Sequence, residues 1–130
     1  MSAILLKNID VKGVKSDILI EDGVISSVLP AGNEQVEDPS AEILDCTGRA
    51  ALPGFVNMHT HGAMSLMRGI GEDIAFHAWL DKIWEVESKI DEEYVYYATK
   101  VACLEMIKTG TTSFADHYWH MPMARKAALE

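Results

Sequence analysis

The hydrophobic period of this chain changes near residue 50, and that change restricts the folds open to it. Before residue 50, apolar residues come in short β-type runs. Ile4-Leu5-Leu6 opens a first strand, and the runs Asp17–Glu21 and Val24–Val28 flank Asp22-Gly23. Asp-Gly between apolar runs predicts a type I′ hairpin, because both central residues need positive φ. Residues 30–40 (PAGNEQVEDPS) read as a loop, residues 41–45 as another short strand, and Thr47-Gly48-Arg49 as a turn. Residues 50–59 form a strand that runs into His59-Thr60-His61. Beyond it, residues 62–73 read as a loop with three glycines, and helical spacing then takes over. Phe76, Leu80, Ile83 and Val86, with Trp79 beside them, mark a helix over residues 74–90. Asp91 is an N-cap for a second helix reaching Lys108, and Gly110 is its C′ stop. Tyr94, Tyr97, Ala98, Val101 and Leu104 form that helix's expected apolar stripe. Thr111–Ala115 is a second inner strand, and residues 121–130 begin another helix with Pro122 in its first turn.

Strands alternating with helices imply a parallel sheet with crossover helices, so the class is α/β behind a small β-layer. Such a sheet or barrel needs more than two strands. The chain stops as its next helix begins, so it reads as the N-terminal part of a longer protein. Its 130 residues and 48% hydrophobic content support a real core. The formal net charge of -9 argues against nucleic-acid backbones and anionic membranes as partners. The plainer reading of the acidity is that it aids solubility, and a homo-oligomer is compatible with it. Cys46 and Cys103 stand in different contexts, outside any Cys-x-x-Cys pair, as buried thiols of a reducing compartment do. No signal peptide and no apolar run of membrane-spanning length is evident, and the cytoplasm is the expected location.

Chemistry concentrates at Phe55-Val56-Asn57-Met58-His59-Thr60-His61. Residues two apart in a strand point to the same side, so His59 and His61 can aim both imidazoles at one divalent metal. The competing reading is two partly buried, hydrogen-bonded histidines. His117 lies just past the second inner strand, on the same face if the strands are parallel. It either touches substrate or is a surface-loop histidine. Asp116 orients a site group or caps the loop, and His77 and His120 read as solvated or packing residues. Glu87 falls on a helix face that spacing alone would leave solvated. Arg68 and Asp73 flank glycines and could pair to hold the loop. Met64, Met67, Trp79 and Trp84 are core residues or the wall of a ring-binding pocket, with core as the default.

Asp45-Cys46-Thr47-Gly48-Arg49 and Leu52-Pro53-Gly54-Phe55-Val56-Asn57-Met58-His59-Thr60-His61 together resemble the amidohydrolase superfamily. Met64-Ser65-Leu66-Met67-Arg68-Gly69, Trp79-Leu80 and Gly110 through Asp116 are similar to its methylthioadenosine/S-adenosylhomocysteine deaminase and chlorohydrolase branch. The resemblance implies a metal-dependent (β/α)8 barrel with a small composite β-sandwich built from both chain ends. Residues 1–50 would be the N-terminal half of the sandwich, and residues 51–130 the first βα units of the barrel. His59 and His61 would be ligands to one divalent metal, zinc first and iron as the other choice. Asn57, where binuclear relatives more often carry Asp, resembles the mononuclear deaminases. Glu87 matches, across a one-residue gap after Trp79, a glutamate associated with the ribose hydroxyls of a nucleoside. His117 stands where methionine or glutamine is common, and Cys46 where alanine is. The implied activity is hydrolysis of carbon–nitrogen bonds other than peptide bonds, as in deamination of an adenine nucleoside or related aminated heterocycle. Activated water attacks an electron-poor ring carbon, and ammonia or another leaving group departs. In the family a third histidine, a metal-binding aspartate and the acid–base glutamate come from later strands, so no catalytic proton-transfer residue is assigned here. The alternatives are a triazine-type chlorohydrolase or aminohydrolase, and a non-catalytic fragment that associates with a partner chain.

Overall fold

The computed structural model describes residues 3–33 and 40–130; of the loop expected over residues 30–40, positions 34–39 lie outside the described residues. The chain divides into two compact units, Met1–Pro53 and Gly54–Glu130.

The first unit is a four-stranded sheet in the order β3-β2-β1-β4, from β1 (Ala3–Val11), β2 (Val14–Glu21), β3 (Val24–Pro30) and β4 (Glu42–Asp45). The predicted Asp22-Gly23 hairpin is present, with φ of 49° and 80°. Lys12-Gly13 makes a second turn of the same kind between β1 and β2, with φ of 53° and 86°. Polar neighbours hid this turn from a reading based on apolar runs. β4 pairs parallel with β1, and a bridge from Asp10 to Ala50 continues that pairing. Ile9, Ile18 and Cys46 form the core, with Leu6, Val11, Ile20 and Ala51 against them. Asp17 is buried to 3% exposure beside this core. Its Oδ1 accepts the Asn8 amide and its Oδ2 the Gly32 amide, both at 2.9 Å. One carboxylate thus satisfies the irregularity in β1, where Asn8 has φ of 61°, and the turn after β3.

The second unit pairs β5 (Phe55–Thr60) in parallel with β6 (Thr111–Asp116). Between them run a 3-10 helix (Gly62–Met67), α1 (Phe76–Glu87) and α2 (Glu92–Lys108), and α3 (Met121–Leu129) follows β6. The 3-10 helix occupies the first half of the predicted glycine loop. The Asp91 side chain caps α2 by accepting from the Tyr94 amide at 2.8 Å, and Gly110 takes φ of 87° just past its end. The buried stripe of α2 is Val95, Ala98, Thr99 and Ala102, which shares Ala98 with the predicted one and is otherwise turned from it. Tyr97 and Leu104 are 55% and 59% exposed. The stripe is rotated because the core here is built on small residues. Ala63, Val95, Ala98 and Ala124 bring the 3-10 helix, α2 and α3 close together, and larger side chains such as Tyr94 and Met121 pack around them only partly buried. The two-stranded sheet also leaves Phe55, Val56 and Met58 exposed, although the run reads as a buried strand. Parallel strands are ordinarily covered on both faces, and β5 has a single strand neighbour among the described residues.

Candidate metal and ligand site

His59 and His61 stand at the C-terminal end of β5, as strand alternation predicts. Their ring centroids are 4.9 Å apart, edge to face. Two imidazoles on one tetrahedral cation, each nitrogen about 2.1 Å from it, place their ring centroids roughly 5 Å apart. The pair therefore fits a shared metal. The His61 Nδ1 lies 2.5 Å from the His117 carbonyl oxygen. A carbonyl has no proton to give, so Nδ1–H donates and Nε2 is left with its lone pair outward. That is the arrangement in which ligating histidines are usually oriented, by a donor bond from the other ring nitrogen. The carbonyl is held in turn: the His117 amide donates to the Thr60 carbonyl at 3.2 Å, extending the β5–β6 pairing past the strand ends. The Asn57 Oδ1 accepts the His59 amide at 3.2 Å. Among the described residues, no group of three or more His, Cys, Asp or Glu side chains is set to hold a metal.

Beside His61 opens a cavity of about 360 Å³, in the range of small-molecule sites. Its wall is apolar, from Met64 of the 3-10 helix and Trp79, Leu80, Ile83 and Trp84 of α1. Met64, Trp79 and Trp84 thus line a pocket rather than the core, whereas Met67 is buried. The helical period explains the wall: Leu80, Ile83, Trp84 and Glu87 are three, four and seven residues apart, one face of α1. Glu87 closes that face, half-buried in the pocket and not on a solvated surface. His117 lines the same pocket, its ring centroid 6.1 Å from that of His61. His77 is exposed beside Phe76, and His120 is exposed in a left-handed conformation at the start of α3.

Tyr118, like Trp119, is a pocket residue that sequence reasoning missed. Its hydroxyl donates to the Glu87 Oε1 at 2.9 Å. Burial, followed by the Glu87 carboxylate, pushes its phenol well above the ordinary value, so the phenol is a hydrogen-bond donor throughout the neutral range. Its one sequence cue was its position two residues past Asp116 in extended backbone, and a tyrosine there is equally at home in a core. Asp116 serves the loop: Oδ1 accepts the Gly62 amide at 3.0 Å, while Oδ2 is buried without a partner among the described residues. A Cβ on Gly62 would stand 3.1 Å from that Oδ2, so glycine permits the approach. Cys103 has its thiol pushed up by burial and then by the Asp116 charge, which keeps it protonated and a poor nucleophile. Arg68 pairs with Glu105 of α2 through both carboxylate oxygens, not with Asp73. The guanidinium fork finds a matched carboxylate on the neighbouring helix. Both cysteines are free.

A family model described as "Amidohydrolase family" matches residues 50–130. A 5'-deoxyadenosine deaminase of Methanocaldococcus jannaschii is 42% identical over 128 residues, covering 98% of this chain and 30% of that protein. A 5-methylthioadenosine/S-adenosylhomocysteine deaminase of Thermococcus kodakarensis is 40% identical over 125 residues, covering 95% of this chain and 28% of its own length. Among solved structures, an adenosine deaminase from Xanthomonas campestris with bound zinc superposes with a TM-score of 0.76 at 29% identity, covering 96% of this chain and 30% of that one. The chain thus spans about 30% of the length of the curated relatives it matches.

Proposed function

The chain belongs to the amidohydrolase family, and on that premise we propose that it forms part of a metal-dependent hydrolase that deaminates an adenine nucleoside. In this reading residues 1–50 are half of a small β-sandwich, and residues 51–130 supply the first βα units of a (β/α)8 barrel. His59 and His61 hold one divalent cation, zinc before iron. The observation that carries the reading is the imidazole pair, its ring centroids 4.9 Å apart at a strand end beside an apolar cavity. When bound, such a cation supplies the Lewis acidity that makes water nucleophilic near neutral pH. The chain's own residues bind and orient. Trp79, Leu80, Ile83 and Trp84 exclude water and offer flat apolar surface to a heterocycle. Glu87 accepts from the ribose hydroxyls, and His117 lies against the ring. The zinc-bound adenosine deaminase and the two deaminase relatives support this choice of substrate class. No helix among the described residues is long and apolar enough to cross a membrane, and the proposed location is the cytoplasm.

The test uses the natural polypeptide that contains these residues. Elemental analysis should find about one zinc or iron per chain, and His61→Ala should lose most of it together with 5'-deoxyadenosine deamination. Full metal content and activity in His61→Ala would overturn the ligand assignment. Metal without any deamination in the unaltered protein would turn the reading toward a non-catalytic role.

A further inference from the structure

Glu87 is the last residue of α1, and Tyr118 lies on the segment between β6 and α3. Their hydrogen bond spans 31 positions of sequence and joins two elements that the strand pair does not itself connect. The helix does little to fix its own carboxylate. Among the described residues α1 buries one side chain, Ile83, and it starts at Ala75 without a side-chain cap. A glutamate so placed retains wide rotamer freedom unless something outside the helix holds it. Tyr118 does: it is half-buried, and its hydroxyl has one proton to give. The thioether of Met67, 3.8 Å away, is a weak acceptor beside a carboxylate 2.9 Å away. Tyr118 also touches the metal side of the cavity, its ring centroid 6.2 Å from that of His61.

We propose that Tyr118 is the positioning residue that aims the Glu87 carboxylate into the cavity, and that this contact sets a preference for ligands carrying two adjacent hydroxyls. The inference rests on the reading of Glu87 as the ribose acceptor and adds the residue that makes it selective. A carboxylate offers about four acceptor sites. Tyr118 occupies one on Oε1, and Oε2 has no donor among the described residues. A fixed carboxylate then presents neighbouring acceptors to a ligand, the match for a vicinal diol. A ligand lacking one hydroxyl leaves a desolvated acceptor unpaired, which is how sites built for hydroxyls discriminate strongly. A swinging carboxylate would follow whichever donor is present and discriminate less.

The experiment compares wild type, Tyr118→Phe, Glu87→Gln and the double variant of the natural polypeptide, with adenosine and 2′-deoxyadenosine as probes. Tyr118→Phe should raise KM for adenosine roughly tenfold and leave kcat near wild type, because in this reading Glu87 holds the ribose and not the reacting ring carbon. The preference for adenosine over 2′-deoxyadenosine should fall by a similar factor. Calorimetric titration of the metal-free protein, where nothing turns over, should show the same weakening in Kd. Adding Tyr118→Phe to Glu87→Gln should change nothing further. If Glu87→Gln loses the preference while Tyr118→Phe keeps it, the positioning role is overturned and the reading of Glu87 stands. If Glu87→Gln keeps the preference, the reading of Glu87 falls and the inference with it. Loss of zinc or helix content in Tyr118→Phe would make the tyrosine structural and would overturn the proposal as well.

Discussion

Gly54, just before β5, is where one methyl group should cost most. A Cβ built there would lie 2.2 Å from the Thr112 Oγ1, 2.3 Å from its Cγ2 and 2.8 Å from its Cβ. Rotating Thr112 about χ1 can move the first two atoms aside, at the expense of a strained rotamer. It cannot move the Cβ, so β5 and β6 must separate by several tenths of an ångström. Overpacking of this kind costs about 1–3 kcal/mol. The strain falls at the base of the strand pair, where the Phe55 amide donates to the Gly110 carbonyl at 2.8 Å. His61 lies seven residues further on, about 20 Å along extended chain. Gly54→Ala should therefore lower stability by about 1–3 kcal/mol and speed exchange of the Phe55 amide, while metal content changes little. Urea unfolding and hydrogen exchange on the natural polypeptide measure both. Thr112→Gly adds a sharper check. Alone it should destabilise the strand, and in the Gly54→Ala background it should stabilise, because it removes all three contacts. The close-approach argument would be refuted by unchanged Phe55 exchange in Gly54→Ala, or by a Thr112→Gly effect of one sign in both backgrounds.

Two further outcomes follow from the polar contacts. Asp17→Ala removes two charge-assisted hydrogen bonds from a buried carboxylate, so a loss of about 3 kcal/mol is expected, with the Asn8 and Gly32 amides losing exchange protection before the rest of the sheet. The Glu105 carboxyl is held below its ordinary value by its hydrogen bond to Arg68. Its contribution to stability is thus present above the unfolded carboxyl's pKa, near 4.5, and fades as pH falls through the lower folded value. Arg68→Met should narrow the stability gap between pH 7 and pH 3, seen in paired denaturation curves. Because the Arg68 side chain is largely exposed and that of Glu105 nearly half so, the pair's effect at neutral pH should be small.

The strands and helices were legible wherever one local rule dominated. Asp22-Gly23 announces its hairpin by the φ values only such residues take cheaply, and Asp91 and Gly110 bracket α2 by cap chemistry. The failures came where a neighbour decides. The face of α2 that is buried depends on Ala63 and Ala124, distant in sequence, presenting surfaces flat enough for close approach. Periodicity finds an apolar stripe, but it prefers large residues, and here the small ones are inside. Arg68 could pair with Asp73 in its own loop as read from sequence, but the matched carboxylate is Glu105, 37 residues on.

The candidate site divides along the same line. His59 and His61 converge because the strand period is a local property, so two residues with one between them could be paired from sequence. What orients His61 is non-local: the His117 carbonyl, 56 residues away, fixes which nitrogen of His61 carries the proton. That hydrogen bond comes from the backbone, so the identity of residue 117 leaves no trace of it. His117 can therefore vary as a ring contact in the cavity without disturbing the tautomer of His61. Glu87 and Tyr118 show the converse. Each alone reads as an ordinary surface or core residue, and only their pairing across the cavity makes the carboxylate a directed acceptor. A side chain whose function lies in where another residue holds it cannot be identified from its own sequence context, and the selectivity proposed for this pocket is of that kind.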